Sequence, residues 1–159
     1  MAVNEIHIDT PPDRVFAVLA DWRSYGDWVV GSRMIRGADP GFPAVGTRFH
    51  HQVGIGPLNL NDHTEVLEVD APRKLILKAK ARPLGTAIVD LTLEPDGNGC
   101  RVTMREDPGD RVTAFVFMPL THLLMRGRNA EALDRLKRLA EERPDIGRDV
   151  EVPPGKKAA

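Results

Sequence analysis

An α+β fold, an antiparallel sheet followed by one long helix, is what three features of this 159-residue sequence predict. Between residues 32 and 107, short runs of apolar and polar residues follow one another with only turn-forming residues between them. Successive strands without intervening helices pair as an antiparallel meander. After Pro108 the apolar period lengthens to that of a helix lying on a core. Ahead of the sheet, TPPDRVFAVLADW carries a helix start directly behind a first strand. The length suits a single domain with its own core, spanning residues 1–143.

Each element has its own signal. Val3, Ile6 and Ile8 alternate with polar neighbours and read as the first strand. Thr10 is the expected N-cap, Pro11 sits where a missing amide costs nothing, and Asp13 can close a capping box. Val15, Phe16, Leu19 and Trp22 then share one helical face, and a second short helical turn covers Ser24–Trp28. Ser32–Arg36 is a short strand, and GADPGFPAVG is a loop by its glycines and prolines. Strands follow over Thr47–Val53, Leu58–Val69, Leu75–Ala81, Thr86–Glu94 and Cys100–Asp107. The last two are joined by Asp96-Gly97-Asn98-Gly99, residues that accept positive φ in a hairpin.

One helix is expected over Pro119–Glu142, with Leu120, Leu124, Leu133, Leu136 and Ala140 near helical spacing. The charged run from Arg126 to Arg138 supplies its solvated face. Pro144 and Gly147 stop it, and residues 144–159 have little to bury and read as a disordered tail.

Composition removes whole classes of function. Lys and Arg total 22 against 23 Asp and Glu, so no net basic field exists to hold nucleic acid or an anionic membrane surface. Cys100 is the one cysteine, which excludes an intrachain disulfide and a cysteine-rich zinc site. The first 20 residues lack a basic start and an apolar signal core. The longest apolar-looking stretch, Val112–Met125, contains Thr, Pro and His and is too short to insert across a bilayer. These features place the chain in the cytoplasm.

The order of elements, with the opening IHIDTPPDRVFAVLADWRSYGDW, the turn EVLEVDAPRKLIL, the hairpin LEPDGNGCRVTM and the closing RNAEALDRLKRLAEE, resembles the START-like superfamily. That group includes plant pathogenesis-related allergens, lipid-transfer domains and aromatic polyketide cyclase/dehydratases, and the resemblance covers residues 3–142. It implies the helix-grip fold: a curved antiparallel sheet of about six to seven strands wrapped around the C-terminal helix. It also implies a cavity between sheet and helix that binds, carries or cyclises an apolar or aromatic small molecule without a cofactor or metal.

Side-chain alternation names the residues that face such a cavity. Ala87, Val89, Leu91 and Leu93 share one face, as do Val102, Met104 and Glu106, and as do Leu75, Leu77 and Ala79. Phe49 and Val53 set the inner face of their strand, which turns His51 inward and His50 outward. In Leu58–Val69 the leucines at 58 and 60 choose one parity, Leu67 and Val69 the other. A bulge would reconcile them, leaving either Asp62 and Thr64 or His63 and Glu65 facing in. The expected lining is therefore Trp28, Phe49, His51, Leu60, Leu77, Val89, Leu91 and Met104 from the sheet side. Phe115, Phe117, Leu120 and Leu124 complete it from the helix side.

Two functional readings follow from that lining. A mainly aliphatic wall with few polar groups suits noncatalytic binding or carriage of an apolar ligand. Alternatively, an inward His51 beside an inward Glu106, or His63, could move protons in an aldol cyclisation or dehydration. Metal chemistry is not expected, since neighbours on a strand point to opposite faces and no carboxylate completes a ligand set. VGIGPLNL lacks the GK[ST] of a phosphate loop. The stretch Phe115–Met118 has three readings: a cavity mouth or gate, a homodimer contact, or a buried connector.

Overall fold

The computed structural model describes residues 1–55, 57–81, 85–110, 119–154 and 156–157. Strand β1 (Ala2–Ile8) leads into helices α1 (Pro12–Ala20) and α2 (Tyr25–Trp28), with a short 3-10 turn between them. Strands β2 (Ser32–Ala38), β3 (Arg48–Ile55), β4 (Leu58–Asp70), β5 (Lys74–Ala81), β6 (Gly85–Asp96) and β7 (Gly99–Pro108) follow. Helix α3 (Pro119–Glu142) and a two-residue strand β8 (Lys156–Lys157) complete the chain.

The sheet is antiparallel throughout, in the order β1-β7-β6-β5-β4-β3-β2, with β8 added to β4. Every sequence-expected strand is present, extended by a residue or two at most of its ends. The start of α1 differs from expectation. Pro11, not Thr10, occupies the N-cap position and makes no side-chain cap bond, so Pro12 is the first helical residue. A proline cap is compatible because the extended conformation at Pro11 suits its fixed φ. The β6–β7 hairpin turns on Gly97, whose φ is 60°.

One end of the sheet's inner face is packed solid. Leu75, Leu91, Leu93 and Val102 meet Val15, Phe16 and Leu19 from α1 and Leu133 and Leu136 from α3 in a single cluster. The buried stripe of α3 runs Asn129, Leu133, Leu136, Ala140, a spacing of four, three and four. Helix α3 packs against β1, α1 and α2.

The chain after α3 is docked where disorder was expected. Ile146 enters the core, Gly147 donates its amide to Asp21 Oδ2 at 3.1 Å, and Arg14 Nη1 reaches the Ile146 carbonyl at 2.5 Å. Gly147 has φ of 76°, and a Cβ there would stand 2.3 Å from the Ala17 carbonyl oxygen. The buried isoleucine, these hydrogen bonds and a glycine able to pass close to α1 hold the segment.

Candidate ligand site on the inner face of the sheet

Register defines three rows of side chains across the inner face. Val69, Leu75, Leu91, Met104 and Asn4 form the row nearest the packed end. Val66, Leu77, Val89, Glu106 and Ala2 form the next, and Phe49, Thr64, Ala79, Ala87 and Pro108 the one beyond it. Burial falls along β5 and β6: Leu75 and Leu91 have no accessible surface, Leu77 retains 3%, and Ala79, Val89 and Ala87 are half-buried, while Val66, Met104, Glu106 and Phe49 on the neighbouring strands stay buried.

The divided parity of β4 is reconciled by a bulge. The β4–β5 register slips between Val66 and Glu68, so Asp62, Thr64 and Val66 are buried on one parity and Val69 on the other. Asp62 and Thr64 therefore face in. His63, a candidate for acid–base work, does not join them: the pleat sends it to the outer face, paired across the ladder with His50 at a ring separation of 6.4 Å. Leu60 is half-buried and lies opposite Val53.

His51 lies opposite Asp62, and its Nε2 is 3.1 Å from Thr64 Oγ1. Burial disfavours the imidazolium and pulls its pKa below the usual histidine value, against the opposing pull of Asp62. The ring is thus held in its neutral form near neutral pH. An aromatic wall continues from it: Phe49 at 5.6 Å, Tyr25 4.5 Å from Phe49, and Trp28 5.0 Å from Tyr25. Tyr25 donates its hydroxyl to the Leu19 carbonyl at 2.8 Å. The indole N–H of Trp28 is buried without an acceptor among the described residues.

Glu106 occupies the opposite limb of the sheet. Arg128 Nη2 lies 2.7 Å from both of its oxygens, and Asn129 Nδ2 donates to Oε2 at 2.7 Å. The carboxylate joins β7 to α3. Strands β4, β5 and β6 stand between His51 and Glu106, a path of about 19 Å along the sheet at ordinary strand spacing. The expectation of a His51–Glu106 pair working side by side is not met by this strand order.

Arg128 and Asn129 were not legible as site residues within a charged run read as solvated. The missed signal is the period: Asn129 falls one turn before Leu133 on the buried stripe. The same period corrects Leu124, which is 67% exposed rather than inward. Nine residues separate it from Leu133, about two and a half turns, so it lies on the opposite side of the helix. Phe115 and Phe117 fall outside the described residues, and Leu120 is described only as part of the α3 backbone.

A separate cleft of about 290 Å³ lies between the α1–α2 connection and the chain after α3, bounded by Asp21, Arg23, Asp27, Arg143, Asp145 and Arg148. Its lining is charged and shares no residue with the inner face. Among the described residues no group of three His, Cys, Asp or Glu side chains is positioned for a metal ion, and no helix is long and apolar enough to cross a membrane.

A seven-strand antiparallel sheet gripping a long C-terminal helix, with two short helices behind the first strand, defines a helix-grip protein. The chain belongs to the polyketide cyclase/dehydrase and lipid transport family, whose model matches residues 2–141. Solved structures share the fold at low identity. Protein MLL2253 from Mesorhizobium loti is 19% identical with a TM-score of 0.65, over 91% of this chain and 98% of its own. Ara h 8.0201 is 10% identical with a TM-score of 0.67, over 87% and 95%. DynU16, from the dynemicin biosynthetic locus, is 17% identical with a TM-score of 0.63, over 89% of this chain and 47% of its own. No curated protein matches the sequence.

Proposed function

We propose that this protein binds an apolar small molecule between the inner face of its sheet and the first half of α3, as a binding or carrier protein. The observation that carries the reading is the loss of packing along that face, from Leu75 and Leu91 with no accessible surface to a half-buried Val89. An interior that is close-packed at one end and loosened at the other, with aliphatic walls and a few polar groups, suits an organic ligand. Family membership supports the same reading.

Acid–base catalysis has less behind it. Both oxygens of Glu106 are engaged by Arg128 and Asn129, and His63 faces outward. Among the described residues, His51 and the Asp62 opposite it are the proton carriers left on this face, both at the β3–β4 limb, whereas cyclisation with dehydration calls for a group that takes a proton and another, suitably placed, that returns one.

The test is titration with a neutral fluorescent probe such as N-phenyl-1-naphthylamine. Wild-type protein is expected to bind it, and Val89→Trp, which fills the loosened end, to weaken binding at least tenfold while retaining its circular dichroism. Undiminished binding by Val89→Trp, or no binding of any apolar probe by wild type, removes the proposal.

A further inference from the structure

Apart from Asn4, which donates to the Arg126 carbonyl, the described polar groups of the inner face fall at two separated places, with aliphatic side chains between them. At one place Thr64 and His51 share a hydrogen bond on the β3–β4 limb, beside Asp62. At the other, Glu106, Asn129 and Arg128 meet on the β7–α3 limb. Between them the sheet presents Leu77 and Ala79 from β5 and Val89 and Ala87 from β6. From these positions we infer that the ligand is elongated and carries an oxygen function at each end of an apolar body, a deepening of the binding reading and dependent on it.

The chemistry at each end is specific. The Thr64 hydroxyl has one donor and two acceptor positions, of which the contact with His51 uses one, so it can still engage a ligand hydroxyl or carbonyl. At the far end a single nitrogen of Arg128, Nη2, serves both Glu106 oxygens. Nε and Nη1 of the same guanidinium are free, among the described residues, to donate to a ligand oxygen. Three strand spacings separate β4 from β7, so the two ends stand about 14 Å apart along the sheet. An apolar molecule with one polar end satisfies one place and leaves the other unused. A short molecule with two polar ends cannot reach both.

Competition against the naphthylamine probe tests this with two pairs of ligands: 1-dodecanol with 1,12-dodecanediol, and 1-hexanol with 1,6-hexanediol. The second hydroxyl of the long diol is expected to improve affinity about fivefold, the worth of one added hydrogen bond. The short diol gains nothing over its alcohol. In Thr64→Val and, separately, in Arg128→Met, the long diol's advantage over dodecanol in the same variant disappears. Should Arg128→Met unfold, the Thr64→Val comparison decides alone. An equal affinity for dodecanol and its diol in wild type, or an advantage that survives both substitutions, overturns the inference while leaving apolar binding intact. If no alcohol of either length displaces the probe and the probe itself does not bind, it is the underlying binding reading that fails.

Discussion

His51 shows how much one buried ring contributes and when. Its folded-state pKa lies below that of the unfolded chain because burial penalises the cation. The neutral form is therefore the one the fold prefers, and its contribution is fully present above the unfolded value of about 6.5. That contribution is lost as pH falls from there through the folded value. Thermal midpoints measured from pH 7.5 to 5 are expected to fall more steeply for wild type than for His51→Gln; parallel slopes would contradict this. His63 is shifted in the same direction by partial burial and by Arg48 and Lys80, and it titrates in both proteins. Gly147 is a second residue whose role is backbone rather than chemistry. A φ of 76° and a Cβ position 2.3 Å from the Ala17 carbonyl oxygen leave no room for a side chain. Gly147→Ala is expected to cost about 2 kcal/mol in urea unfolding, the scale of strained substitutions.

At the level of elements, the tie between β7 and α3 matters more than the ion pairs along the helix surface. Arg138 and Asp134 form a pair whose side chains are both more than half exposed. Such pairs are worth about 0.5 kcal/mol because water and salt screen them. Glu106 is buried, and removing its partner strands a carboxylate inside the protein with Asn129 as its remaining side-chain donor among the described residues. Arg128→Ala is expected to lose about 2 kcal/mol, a value reduced from the fully buried case because Arg128 is itself partly exposed. Arg138→Ala, measured in the same urea series, is expected to lose a quarter of that or less. Equal losses would show that the β7–α3 tie is an ordinary surface pair.

At the scale of the whole molecule one core cluster runs across the inner face, closed over Leu75 and Leu91 and leaving a looser half at Ala79, Ala87 and Val89. The C-terminal part of α3, α1 and the rows from Leu75 to Val102 form a continuous core, and the exposed Leu123 and Leu124 belong to the other half of the helix. A ligand held in the looser half stabilises the native state by its affinity and its concentration. At one hundred times its dissociation constant it adds about 2.7 kcal/mol. The urea midpoint of wild type is expected to rise by the corresponding amount with saturating 1,12-dodecanediol, and that of Val89→Trp to move little. A midpoint unmoved by any apolar ligand would count against a site on this face.

The sequence by itself determined the strands, the bounds of α3 and the inward faces of β3, β6 and β7, because alternation and helical period are local and survive any arrangement in space. It determined that His50 and His51 part company, since adjacent residues of a strand must. It left β4 open, because a bulge at Leu67 is a choice made against the register of β5. Strand order decided that His51 and Glu106 stand on opposite limbs, a fact about neighbours far apart in the chain. The tertiary structure also decided that Arg128 and Asn129 close on Glu106 and that Ile146 brings the chain after α3 back to the core. Those outcomes depend on which surfaces meet, and a local pattern carries no record of its partner.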